Sequence, residues 1–170
     1  MINHAIILIG FPKSGKTTLG KALSKQFNHS FCDTDQEILK YSYAPSIREF
    51  VKSVGIERFR KRETEVLEQL QGYHGVLSTG GGLPLAEKNR ASLKKLGSVV
   101  FLDTPIQTLF HRMTVGEIPT YLDSDHLLKS FEELLAHRRP IYESLADCTV
   151  KPTMTLEEIW EAIHSAASLK

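Results

Sequence analysis

The chain has 170 residues, a formal charge of +1, 41% apolar residues and 24% charged residues. That length supports one domain around one core, and the composition is that of a folded globular protein rather than a disordered or membrane chain. A charge so close to zero provides no basic field, which argues against general binding to nucleic acid or to an anionic membrane.

The first apolar run, Ala5 to Ile9, follows no basic region and stops at Gly10 and Pro12. It is too short for a signal peptide or a spanning helix, so a cytoplasmic protein is expected. Cys32 and Cys148 stand far apart with no C-x-x-C spacing, which fits reduced thiols. The run AIILI reads as a strand buried on both faces, and Leu19, Ala22, Leu23 and Phe27 then recur at helical spacing. A short second strand ends at Phe31 to Asp33. Ser46 with Glu49 is a capping-box pattern that opens a helix with Ile47, Phe50, Val51 and Val54 inward. The helix after Gly55 carries Ile56, Phe59, Val66 and Leu70 on one stripe that also passes through Glu63. A carboxylate there needs a partner, and Arg60 lies on the neighbouring ridge.

Gly75 to Thr79 and Ser98 to Leu102 read as the third and fourth strands, with Lys94-Lys95 at a solvated helix end between them. Thr104-Pro105 opens a helix with Pro105 at its first position. The stretch Thr114 to Asp125 has no period and the length of a lid or a disordered loop. Leu127, Phe131, Leu134 and Arg138 then share a helical face. Cys148 to Lys151 reads as an edge strand, and Thr155 with Glu158 caps a last helix holding Leu156, Ile159, Trp160 and Ile163. Alternating strands and helices predict an α/β fold, a parallel sheet covered on both faces, with ligands at the carboxyl ends of its strands.

Gly10, Gly15, Lys16 and Thr17 satisfy G-x-x-x-x-G-K-[ST] between a strand and a helix. Backbone N–H groups and the helix N-terminus then face phosphate, Lys16 neutralises the β and γ oxygens, and the Thr17 hydroxyl faces Mg²⁺. The metal also needs a carboxylate, and Asp33 and Asp103 both end strands; the pattern does not rank them. Asp33 and Asp35 share one side of an extended chain, one acid for a metal and one for an acceptor hydroxyl, with helix capping as the open alternative. Gly80, Gly81 and Gly82 would let a small ligand approach the backbone closely. Arg60 and Arg138 beside apolar faces suit a substrate carboxylate, with structural ion pairs as the alternative. No N-K-x-D motif is present, which counts against a GTPase switch, and the histidines show no metal-ligand spacing.

Read together, the phosphate loop, Asp33-Thr34-Asp35, Phe59-Arg60 with Glu63, Gly80-Gly81-Gly82 and the arginine before Pro140-Ile141-Tyr142 resemble the shikimate kinase family over nearly the whole chain. The resemblance implies a three-layer P-loop kinase domain over residues 1–170, with a five-stranded parallel sheet in the order 2-3-1-4-5. A mobile lid at about 112–125 and a substrate-binding helical segment at about 34–71 would belong to it. It implies ATP, Mg²⁺ and shikimate as ligands, shikimate 3-phosphate as product, and a monomer. By the same resemblance Pro12, Lys13, Ser14, Gly15, Lys16, Thr17 and Thr18 hold the nucleotide, with Arg112 and Pro152 near adenine. Thr17 ligates the metal directly and Asp33 through water; Lys16 and Asp35 are catalytic. Asp35 also holds the shikimate hydroxyls, Arg60 and Arg138 clamp the carboxylate, Glu63 orients Arg60, and Gly80 to Gly82 lie beside the substrate.

One segment departs from the family, whose lid usually reads Arg-Pro-Leu-Leu. Here Ile118 precedes Pro119. Arginine fingers contribute roughly 10³ to 10⁵ in rate in other phosphoryl transferases, so an uncompensated loss would be severe; either Arg112 or Lys129 moves in on closure, or turnover is slow, and the sequence leaves both open. A kinase of another hydroxy acid such as gluconate, and an ATP-binding protein with impaired transfer, remain as alternatives.

Overall fold

The computed structural model describes residues 4–115, 118–119 and 121–168. Five parallel strands form one sheet in the order β2-β3-β1-β4-β5: β1 (Ala5–Ile9), β2 (Phe31–Asp33), β3 (Val76–Ser78), β4 (Gly97–Leu102) and β5 (Cys148–Val150). Every residue of β1 is buried, and the period of a strand divides them between the two layers. Ala5, Ile7 and Ile9 join the larger core, with Leu77, Val99, Phe101 and Tyr142, while Ile6 and Leu8 join the smaller one, with Leu23, Val100, Ile159 and Ile163. The run AIILI is unbroken by polar residues because both of its faces are covered.

The helices α1 (Lys16–Gln26) and α8 (Leu156–Ala167) pack on the smaller core, and α5 (Glu87–Leu96), α6 (Ile106–Thr114) and α7 (Leu127–Leu145) on the larger. A third cluster stands apart: Ile38 of α2 (Thr34–Lys40), Phe59 and Val66 of α4 (Ile56–Gln69), with Ile47, Phe50 and Val51 of α3 (Ile47–Val54) against them. This small separate core carries the helical segment beside the strand ends, and it positions Arg60 and Glu63.

Several local expectations shift on inspection. Ile56 is 53% exposed, so the α4 stripe begins at Phe59. Ser46 Oγ accepts the Glu49 N–H, but the Glu49 carboxylate takes Lys52 Nζ at 2.7 Å; the box closes in both directions only at Thr155 and Glu158. Pro105 precedes α6 rather than starting it, because its ψ of 138° is extended. Of the expected lid, Arg112 to Thr114 are helical, and residues 116, 117 and 120 lie outside the described residues. No helix among the described residues is long and apolar enough to cross a membrane.

Candidate active site

The carboxyl ends of β1, β2 and β3 meet at one mouth. After Ile9 the loop turns through Gly10 (φ 146°) and Gly15 (φ 105°), conformations that L side chains rarely adopt. Lys16 is buried, and its Nζ donates to the carbonyls of Gly10 at 3.1 Å and Phe11 at 2.8 Å. Burial pulls its ammonium down to about 8, against the opposing pull of Asp35 and Asp33. Phosphate oxygens entering the loop would compete with those two carbonyls for a charge already desolvated. Two clamps hold the loop from outside: Thr104 Oγ1 donates to the Ser14 carbonyl at 2.9 Å, and Arg112 Nη1 donates to the carbonyls of Lys13 at 3.1 Å and Ser14 at 3.2 Å.

Asp33 ends β2, and its two oxygens have separate tasks. Oδ1 caps α2 by accepting the N–H groups of Asp35 and Gln36, while Oδ2 accepts the Thr17 hydroxyl at 2.7 Å. The chain is therefore already turning into a helix at Asp35, and the cap, not extended alternation, brings both acids to one place. Asp103 is engaged elsewhere, taking Arg139 Nη2 at 2.8 Å.

Asp35 is held near ionisation at neutral pH. Burial, and then the Asp33 charge, push its carboxyl up to about 6, with Lys16 and Arg60 pulling it back. Its Oδ1 is buried with no hydrogen-bond partner among the described residues. Arg60 Nη1 donates to Glu63 Oε2 at 2.5 Å, and Glu63 is 1% exposed, which accounts for an acid on the apolar stripe of α4. Burial raises the Glu63 carboxyl to about 7, against Arg60. Arg138 of α7 is buried at the same place and forms no ion pair among the described residues. Its neighbour Arg139 points round the helix to Asp103.

The glycine turn has a separate steric reason at each position. A Cβ on Gly80 would meet Asp35 Oδ1 at 2.6 Å, one on Gly81 would meet the Pro12 ring at 2.8 Å and its backbone N at 2.9 Å, and one on Gly82 would strike the Arg60 guanidinium. None of the three has a left-handed φ, so close approach, not conformational freedom, excludes side chains there.

Two cavities meet at this turn. The first, about 390 Å³, is lined by Lys13, Gly15, Lys16, Thr17, Thr18, Asp33 and Arg112. The second, about 510 Å³, is lined by Arg48, Arg60, Glu63, Gly82, Arg138 and apolar groups including Ile56, Phe59, Pro119 and Tyr121. Pro12, Asp35, Gly80 and Gly81 line both. Pro152 lines a third cavity with Asp103, Thr104 and Arg139, and Arg112 does not line it.

These features coincide with a family pattern. The profile described as shikimate kinase matches residues 12–167. The chain belongs to the shikimate kinase family. A shikimate kinase of Neisseria meningitidis serogroup C (strain 053442) is 39% identical over 158 residues, 92% of each chain. Among solved structures, the shikimate kinase from Acinetobacter baumannii in complex with shikimate matches with a TM-score of 0.86 at 32% identity, covering 95% of this chain and 93% of that one. The shikimate kinase from Aquifex aeolicus vf5 matches with a TM-score of 0.76 at 34% identity, covering 96% of each.

Within this family member the segment expected to form a lid carries no arginine at Ile118, which packs partly buried against the larger core. Of the two candidate replacements, Arg112 reaches the phosphate loop, whereas Lys129 is exposed and 4.0 Å from Glu133. Sequence reasoning missed Arg48, Thr104 and Tyr121. Arg48 and Tyr121 are polar members of segments read for their apolar or aperiodic character, and a threonine before proline reads as helix chemistry.

Proposed function

We propose that this chain transfers the γ-phosphoryl group of ATP to the 3-hydroxyl of shikimate, giving ADP and shikimate 3-phosphate for chorismate and aromatic amino-acid synthesis. The observation that carries the reading is Asp35, a half-buried carboxylate whose buried Oδ1 is unpartnered, on the boundary shared by the phosphate-loop cavity and the arginine-lined cavity. The acceptor lies with its carboxylate against Arg60 and Arg138 and its hydroxyls toward Asp35. Asp35 takes the hydroxyl proton as the oxygen bonds to phosphorus, and the bridging bond to ADP breaks with its electron pair on ADP. Lys16 neutralises charge on the phosphates, so positioning and electrostatics supply most of the rate.

Mg²⁺ suits the donors present, because Thr17 and Asp33 present one hydroxyl and one carboxylate side by side, both hard oxygen donors. Thr17 would hold the ion directly and Asp33 through water. When bound, it would neutralise charge on the β and γ phosphates. Arg112 over the phosphate loop is the cation we assign to the vacant role of the lid arginine. A single domain over residues 1–170, with a lid near 112–125 and a substrate-binding segment near 34–71, belongs to the same proposal. So does a monomeric cytoplasmic enzyme.

ADP release with shikimate, measured beside gluconate and other hydroxy acids, tests the acceptor. Shikimate should stimulate release well above the ATP-only background and the others should not. Equal stimulation by gluconate, or none by any acceptor, would sink the reading. The glycine turn offers a second check. Gly82→Ala displaces the guanidinium of Arg60 and should raise KM for shikimate ~10-fold, with a loss of Tm that reads the disturbed pair with buried Glu63. Gly81→Ala meets Pro12 backbone and should lower Tm itself, by a few degrees for each ~1 kcal/mol of strain. Identical behaviour of the two variants would contradict the separate reasons given for them.

A further inference from the structure

Tyr121 occupies a stretch of cavity wall for which neither the phosphate loop nor the arginine pair accounts. The Arg138 guanidinium carbon lies 5.4 Å from the centroid of its ring. Arg138 also lies within electrostatic reach of the Tyr142 hydroxyl, which donates to the Gly81 carbonyl at 2.6 Å. Arg138 is thus faced from two sides, by Tyr142, which is tied to the glycine turn, and by the ring of Tyr121. That segment is itself anchored. Leu122 is buried in the larger core, its N–H donates to the Pro119 carbonyl at 3.0 Å, and the Asp123 N–H donates to the Ser130 hydroxyl at 3.1 Å.

We infer that Tyr121 is a positioning and specificity residue of the acceptor site, whose ring stacks on Arg138 to aim its fork at the substrate carboxylate and forms an apolar wall beside the acceptor ring. The assignment rests on the shikimate kinase reading. A planar guanidinium on an aromatic face keeps its N–H edges available for bidentate contact with a carboxylate, and the attraction grows where water is excluded. Tyr121 is 46% exposed, and the buried part of its side chain holds the hydroxyl above its usual range, with Arg138 opposing, so the side chain is a neutral phenol and Arg138 faces its ring. With Ile118 where the family has arginine, the segment grips a cation held by another helix.

The test compares wild type, Tyr121→Phe and Tyr121→Leu for kcat, KM for each substrate, and calorimetric shikimate affinity. Phe should keep shikimate KM and Kd within ~2-fold, while Leu should raise both roughly 5- to 30-fold with ATP KM and Tm unchanged. Arg138→Lys supplies a second measurement, since the ammonium lacks the planar stack: in that background Tyr121→Leu should add little. Unchanged shikimate affinity in Tyr121→Leu, a loss in Phe as large as in Leu, or additive effects in the double variant would overturn the assignment. The wild-type arm separates this from the acceptor reading. No shikimate-dependent ADP release overturns that reading and the assignment with it, whereas normal release with the wrong variant pattern overturns the assignment alone.

Discussion

Asp35→Asn should leave the protein nearly inactive and more stable. The carboxyl is pushed up to about 6 from an ordinary 3.8, chiefly by burial. Because the native value lies above the unfolded one, the folded state binds the proton more tightly. Stability contributed by the group therefore falls as pH rises from 3.8 to about 6, and the full cost is present above that window. A shift of that size corresponds to about 3 kcal/mol near neutral pH. Asparagine keeps the shape without the charge, so Tm at neutral pH should rise by several degrees, up to ~10 °C, and the gain should vanish below the unfolded pKa. Turnover should fall by roughly 10²- to 10⁴-fold with the loss of the base. The wild-type kcat/KM should likewise drop on the acid side of about 6, as Asp35 takes up its proton. Scanning calorimetry at neutral and acid pH, run beside steady-state kinetics, reads both effects. An unaltered Tm would remove burial as the source of the shift, and near-normal turnover would remove Asp35 from the chemistry.

The second large effect separates two aspartates that the sequence pattern cannot rank. Asp33→Asn retains a good helix cap for α2 but loses the carboxylate beside Thr17, so apparent Mg²⁺ affinity should weaken ~10- to 100-fold. Turnover at limiting Mg²⁺ should fall in proportion and recover in part as Mg²⁺ is raised. Asp103→Asn breaks a half-exposed pair with Arg139 and should cost about 1 kcal/mol of stability or less, with Mg²⁺ dependence unchanged. Magnesium titrations of the two variants decide the matter, and the reverse pattern would place the metal-side acid at the end of β4.

How far the sequence could be read depends on the range of the interaction. The phosphate loop, β1 and the Arg60–Glu63 pair are legible because each is local: a glycine spacing, an unbroken apolar run, an acid out of place one turn from an arginine. The triple glycine is visible as an oddity, but its reasons are not. Asp35, Pro12 and Arg60 come from three other segments, and only folding shows that each fills the space of one missing Cβ. Capping and metal chemistry at Asp33 stand as alternatives in the sequence, whereas the structure gives each oxygen its own partners. Tyr121 and Arg48 are illegible for the same reason as the glycines, since a cavity wall has no period. Thr104 misleads because its position before Pro105 suggests a helix start, while its hydroxyl is spent on the Ser14 carbonyl of the loop after the neighbouring strand β1.

The divided carboxylate of Asp33 also bears on the timing of the catalytic cycle. One oxygen is tied to the first turn of α2, the helix that carries Asp35, and the other to Thr17 at the start of α1. On the proposed roles, the distance between the nucleotide's metal side and the acceptor's base would be written into a single helix start rather than assembled by closure. Whichever substrate arrives first, that spacing already exists. On that proposal the acceptor needs only to reach a ruler whose marks do not shift, and an extra methylene at position 33, as in Asp33→Glu, would displace both marks together.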